Sequence, residues 1–195
     1  MDLKTVILYG KAGSGKGTQS RLLCEYLDKH TGNRATYFET GAQLRTFAKQ
    51  NNFTAKHIRK SLEEGSLVPE FIPVWVWTTF FMHHLTGEEH LVLDGLARRV
   101  DEVVILHQAL KFYERHAVEV VVLSITDEEA FKRLKLRARA DDDEKEIGRR
   151  LAWYQDNVEP AIEQWRKLGV KVSEIDGSGS IEETHQLVLK TLDLV

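Results

Sequence analysis

The sequence predicts an α/β protein, a three-layer sandwich built around a five-stranded parallel sheet. Three observations carry that reading. Short runs of β-forming apolar residues alternate along the chain with longer stretches of helical periodicity. The strand runs are apolar at consecutive positions, as in strands covered on both faces. A glycine-rich turn joins the first strand to the first helix.

Taken in order, residues 3–9 form the first predicted strand, followed at once by Gly10, Gly13, Gly15 and Gly17. A helix is predicted over 16–30, with Leu22, Leu23, Tyr26 and Leu27 on one side. Residues 34–39 read as the second strand, and Thr40 as the N-cap of the helix that follows. Residues 71–82 are β-prone by propensity but apolar on all sides, and are assigned to a buried helix. Residues 90–93 form the third strand and run into Asp94-Gly95. Residues 118–125 are the longest β-run, and Thr126 with Glu129 then makes a capping box. Ile147, Leu151, Tyr154, Val158, Ile162 and Trp165 recur at steps of four and three, which predicts one continuous amphipathic helix. Asp143 with Glu146 caps it, and Gly169 stands where it should stop. Residues 171–175 form the last strand, and Ser180 with Glu183 caps the last helix. No repeat or low-complexity tract divides the chain, so a single domain over 1–195 is expected.

Composition removes several function classes. Lys and Arg number 27 against 30 Asp and Glu, a net charge of -3, whereas a protein gripping nucleic acid by broad electrostatics is basic. The single cysteine, Cys24, excludes a disulfide framework or a cysteine-based zinc site within one chain. The first apolar run is too short for a signal peptide. Residues 74–85 are interrupted by Thr78, Thr79, His83 and His84 and fall short of a membrane span. A cytoplasmic monomer is expected, with neither nucleic acid nor membrane as partner.

The chemistry starts at Gly10-Lys11-Ala12-Gly13-Ser14-Gly15-Lys16-Gly17-Thr18, a strand–loop–helix arrangement of P-loop type. Its glycines let successive backbone N–H groups point into one hollow at a helix N-terminus, where the dipole adds attraction for phosphate. Lys16 supplies a compact charge for the β- and γ-phosphates, so the ligand class is a nucleoside triphosphate. The general pattern places Ser or Thr directly after the lysine as a magnesium ligand; here that position is Gly17, with Thr18 next. Asp94, expected beside the loop in a parallel sheet, is the candidate holder of Mg²⁺, largely through water.

The run GKAGSGKGTQ resembles the adenylate kinase and UMP/CMP kinase family of nucleoside monophosphate kinases, in a short-lid form. Thr40-Gly41-Ala42-Gln43-Leu44-Arg45 is similar to that family's TGxxLR. Gly65-Ser66-Leu67-Val68-Pro69 resembles its GxLVP, and Leu93-Asp94-Gly95-Leu96-Ala97-Arg98 its LDGFPR. Arg139-Ala140-Asp141-Asp142 with the later Arg150 is similar to RxDD and KR, and Tyr154 through Gly169 to the YxxxTEPxxxxY…G segment. The resemblance implies a P-loop nucleoside monophosphate kinase fold, with a monophosphate-binding helical insertion about 40–70 and a short lid about 133–143. It also implies ATP and Mg²⁺ as cofactors and small-molecule nucleotides as partners. Thr40, Gly41, Arg45, Val68, Gly95, Arg98 and Glu102 would then serve the monophosphate. Gly13, Ser14, Gly15, Lys16, Gly17, Thr18, Arg133, Arg137 and Gly179 would serve ATP, and Asp141 would hold the lid arginines.

Elementary chemistry makes the same case for the arginines. Two polyanions must meet, and phosphoryl transfer through a loose transition state asks for positioning and charge neutralisation. Arg45 and Arg98 can hold a monophosphate, while Arg133, Arg137, Arg139 and Arg150 surround the transferred group. An arginine finger in such a site contributes about 10³- to 10⁵-fold in rate. Lys16, Arg98, Arg139, Arg150 and Asp141 form the expected catalytic set.

The departures fall on the acceptor side. Leu96-Ala97 stands where the resembled motif has Phe-Pro, and Glu102 where adenylate kinases carry a glutamine facing adenine. A carboxylate only accepts hydrogen bonds, whereas glutamine also donates. Two alternatives therefore stand beside ATP + AMP = 2 ADP. One is a kinase for CMP, UMP, GMP or a small metabolite; the other is a nucleotide-binding regulatory module with a degenerate acceptor site. His83-His84 has no third ligand at metal spacing, Trp75 and Trp77 read as core or hinge packing, and Cys24 reads as apolar filling.

Overall fold

In each of the five strands the backbone runs the same way, because a helix or group of helices returns the chain to the same edge before the next strand begins. A computed structural model describes residues 3–64, 68–137 and 143–195. Strands β1 (Thr5–Gly10), β2 (Ala35–Glu39), β3 (His90–Asp94), β4 (Val118–Ser124) and β5 (Lys171–Asp176) form one parallel sheet in the order β2-β3-β1-β4-β5. The helices are α1 (Lys16–His30), α2 (Thr40–Phe47), α3 (Phe53–Glu63), α4 (Phe71–His84), α5 (Val100–Phe112), α6 (Asp127–Arg137), α7 (Glu144–Trp153), α8 (Glu159–Lys167) and α9 (Ile181–Thr191).

The three layers follow from strand alternation. Val6 and Leu8 of β1 pack with Leu23 and Leu27 of α1 and Val188 and Leu189 of α9. Ile7 and Tyr9 point to the other face, where Trp77 and Phe81 of α4, Leu106 of α5 and Trp165 of α8 cover them. Both faces are dry along β1 and β3, which are buried at every position, whereas the edge strand β5 is partly exposed and carries Lys171, Ser173 and Glu174 among its apolar residues. No helix among the described residues is long and apolar enough to cross a membrane.

The expected parallel α/β sandwich is present, with strand ends within a residue of the sequence reading except at the start of β1, which begins at Thr5 rather than at residue 3. Three local expectations need correction. Thr40 does not cap α2: Glu39 holds the N-cap position, and Thr40 lies inside the helix with its hydroxyl buried and unpartnered. The 71–82 segment is helical but not buried all round, since Phe71, Trp75 and Met82 are exposed while Ile72, Val76, Trp77 and Phe81 face the core. The long apolar stripe is not one α-helix. A π-turn at Tyr154–Val158 separates α7 from α8, with the Glu159 N–H bonding to the Tyr154 carbonyl. Pro160 has no N–H to offer the preceding turn, and widening that turn accommodates its ring while the stripe stays in register with the core.

The caps at the other ends hold. Asp143 accepts from Glu146 N–H, and Ser180 with Glu183 forms a full capping box. Gly169, at φ +77, closes α8 as Val170 N–H bonds to the Trp165 carbonyl and Gly169 N–H to that of Arg166.

The amino end of the sheet is anchored by buried polar groups. Arg115 and Glu89 form an ion pair there, and Arg115 also donates to the Glu89 carbonyl at 2.6 Å. Glu89 Oε2 accepts from Thr86 N–H at 3.0 Å. His90, fully buried, accepts from Lys4 N–H at 2.8 Å through Nδ1 and so carries its proton on Nε2, toward Thr31 Oγ1.

Candidate active site

The carboxyl ends of β1, β2 and β3 meet at one point. Leu8 pairs with Asp94, and Asp94 with Glu39, so a carboxylate from each of two strands stands beside the turn leaving β1. That turn passes Gly13 at φ +86, where a Cβ would come within 3.0 Å of the Ala130 carbonyl. Only glycine fits such a position. Helix α1 then starts at Lys16 with no side chain capping its N-terminus. Ser14 is buried under the loop, its Oγ only 2.5 Å from where a Cβ on Gly10 would sit.

Lys16 folds back over the loop, its Nζ donating to the carbonyls of Gly10 at 2.7 Å and Lys11 at 3.0 Å. Burial pushes its pKa down to about 8; Asp94 opposes that shift, and Arg98, Arg150 and Arg137 add to it. Asp94 is 5% exposed, and burial raises its carboxyl above the usual range against the pull of Lys16 and Arg98. Gly17 faces it: a Cβ there would lie 3.3 Å from Asp94 Oδ2.

These groups open on a cleft of about 790 Å³. Gly13, Gly15, Lys16, Gly17 and Thr18 line it from the loop, Arg133, Arg137 and Arg150 from α6 and α7. From the other side it is lined by Gly41, Arg45, Val68, Asp94, Gly95 and Arg98. Arg98 lies across the bare backbone of Gly95, its Nε donating to the Gly95 carbonyl at 2.9 Å. The preceding residue, Ala97, is held at φ +48, a conformation closed to proline.

The adenylate kinase family model matches residues 8–170. The chain belongs to the adenylate kinase family. It is 30% identical over 194 residues to an adenylate kinase of Leptospira biflexa, covering 97% of this chain and 100% of that one. An adenylate kinase of Azobacteroides pseudotrichonymphae is 29% identical over 190 residues, 95% of each chain. One from Synechococcus sp. strain CC9902 is 30% identical over 188 residues, 96% of this chain and 98% of the relative.

Against the family pattern, some expected residues sit elsewhere. Glu102 is 3% exposed and does not line the cleft; its Oε2 accepts from the Arg98 backbone N–H at 2.9 Å, and Arg99 stands 3.7 Å from Oε1. Burial raises its carboxyl above the usual range. Thr40 and Ser14 are buried beside the cleft, and Gly179 lies in the exposed turn before α9, against Glu183. Arg133 bonds the Gly177 carbonyl at 2.8 Å, the Ser178 carbonyl at 3.0 Å and Glu129 at 2.6 Å, tying α6 to that turn. Arg139 and Asp141, like Gly65, Ser66 and Leu67, lie outside the described residues.

Sequence reasoning missed several cleft residues of this adenylate kinase family member. Glu39 lines the cleft and bonds Arg45 at 2.7 Å. Tyr37 does not line the cleft but supports two residues that do, its hydroxyl standing 3.2 Å from both Glu39 Oε2 and Asp94 Oδ2. Arg21 stands one helical turn beyond Gly17, a spacing that could have flagged it. Arg149 joins Arg150 in the cleft wall and donates to the Glu64 carbonyl at 3.2 Å.

Proposed function

We propose that the protein transfers the γ-phosphoryl group of ATP to AMP, giving two ADP. One observation carries this reading: the glycine-rich loop with Lys16 and the pair Arg45 and Arg98 face a single cleft from opposite sides. A cleft with cations on two walls suits two polyanions held end to end, and a regulatory module binding one nucleotide would have no use for the second wall. Membership of the adenylate kinase family supports AMP over CMP, UMP, GMP or a small metabolite as acceptor.

In this reading the loop amides and Lys16 hold the β- and γ-phosphates, with Thr18 behind them. Arg45 and Arg98 hold the acceptor's phosphate in line. Arg137 and Arg150, with Arg133, Arg139 and the Asp141 that would brace them, neutralise charge as it spreads over the transferred group. Residues 40–70 carry the acceptor and 133–143 close over ATP, excluding water. Val68 and Gly95 shape the acceptor side by main chain, and Glu102 supports it through Arg98.

The donor set suits magnesium. Asp94 is a hard oxygen donor beside the phosphate loop, and the missing side chain of Gly17 leaves room next to Oδ2 for a hydrated cation. Asp94 would hold Mg²⁺ through water, and the bound ion would neutralise charge on the phosphates. The slight acidic excess supports small nucleotides over nucleic acid as partners, and a cytoplasmic monomer is part of the same reading.

The experiment is turnover with ATP–Mg²⁺ against AMP, dAMP, CMP, UMP and GMP offered separately. Rapid conversion of AMP is expected; conversion of another base in preference, or of none, overturns the reading.

A further inference from the structure

We propose that Glu39 is an internal stand-in for the acceptor's phosphate: its carboxylate occupies Arg45, and an incoming monophosphate must displace it. The inference rests on the reading of Arg45 as an acceptor-phosphate ligand.

The geometry is that of a competitor. Glu39 Oε1 lies 2.7 Å from Arg45 Nη2, and both side chains line the cleft. The pair closes over Gly41, where a Cβ would stand 3.0 Å from Arg45 Nη1 and 3.4 Å from Glu39 Oε1. A guanidinium presents the same fork of donors to a carboxylate as to a phosphate, so the two anions contend for one place. A doubly charged phosphate outbids a singly charged carboxylate in that field.

Glu39 does not cap the helix it precedes. It stands at the N-cap of α2, where Ser, Thr, Asp or Asn is preferred, and its side chain accepts no capping bond. The displaced carboxylate has a ready partner, since the Tyr37 hydroxyl is 3.2 Å from Glu39 Oε2. That hydroxyl has one proton for two carboxylates, Glu39 and Asp94, and gives it to whichever needs it. Such a device favours dianionic acceptors over singly charged ones, because only the former recover what displacing Glu39 costs.

The test compares Glu39→Gln and Glu39→Asp with the unmodified protein by calorimetric titration with AMP and, separately, ATP. Aspartate keeps the charge but is one methylene too short to reach Arg45. Both variants are expected to bind AMP about three times more tightly, within the range of a half-exposed ion pair, with little change for ATP. In an Arg45→Ala background the gain should vanish. A gain in E39Q alone would mean a long-range charge effect, and weaker AMP binding in both would mean that Glu39 orients Arg45; either overturns the proposal. Unmodified protein that binds ATP but no AMP removes the functional reading itself, and this inference with it.

Discussion

The Tyr9 hydroxyl, near the carboxyl end of β1, donates a 2.7 Å hydrogen bond to the carbonyl of Ala97, the residue before Arg98. The same oxygen accepts from Trp165 Nε1 at 3.0 Å. Core strand, α8 and the arginine loop are thus joined through one buried phenol, whose ionisation burial pushes far above the usual range.

Tyr9→Phe leaves the Ala97 carbonyl and the Trp165 N–H without a partner in the core. A loss of about 2–4 kcal/mol is expected by urea unfolding. Turnover should fall about tenfold as Arg98 loses its support. Unchanged stability would show that neither bond matters.

Ala97 at φ +48 is strained for any residue with a Cβ. Ala97→Gly should be neutral or stabilising by up to about 1 kcal/mol, and Ala97→Pro destabilising by about 3 kcal/mol or more, although proline is the residue of the family pattern. Thermal unfolding of the two variants checks the pair; a well-tolerated proline would mean that the loop readily adopts another path.

Lys16 gives a pH signature. Polyanion binding favours its charged form, so ATP binds best below pH 8 and KM should rise up to about tenfold per pH unit above it. The folded value of about 8 lies below the ordinary 10.5, so between these the unfolded chain binds more protons and stability rises with pH. Below pH 8 the cost of burying the charge is fully present. Lys16→Met should therefore melt at a higher temperature at pH 7, have a flatter stability profile from pH 8 to 10, and turn over at least about a hundredfold more slowly. A lower melting temperature would contradict the buried-charge account.

Glu102 runs the other way. Its carboxyl is raised above 4.5, so in the window just above that value the folded state keeps a proton that the unfolded state has lost, and stability falls as pH rises through it. Glu102→Gln retains an acceptor for the Arg98 N–H without the charge. It should be more stable than the parent at pH 7, with the advantage gone below pH 4. Because Glu102 does not line the cleft, the ranking of AMP, GMP and CMP should stay unchanged; a shift toward AMP would return Glu102 to base recognition.

What could be read from residues alone was whatever local spacing encodes. Glycines at 10, 13, 15 and 17 announce the loop, and the end of a third strand places Asp94 beside it through the parallel register. The Ser180–Glu183 and Gly169 signals succeeded because each is a bond between near neighbours in the chain. The misses depend on packing. Whether Thr40 or Glu39 is the N-cap is decided by how β2 enters α2, and the π-turn at Tyr154–Val158 by accommodating Pro160 while Tyr154 and Val158 stay in the core. Nothing in periodicity distinguishes Arg149 from Arg150, or shows that Glu102 turns back on Arg98.

β3 begins at His90, inside the cluster made by Glu89 and Arg115, and ends at Asp94 in the cleft. The two poles of this one strand therefore fail differently. Damage at the first removes a partner from a buried charge and lowers how many molecules survive in a cell, while each survivor works at full speed. Damage at the second leaves the cell well stocked with idle protein. Abundance and specific activity, measured side by side for a set of variants, would map the boundary between the two along a span of five residues.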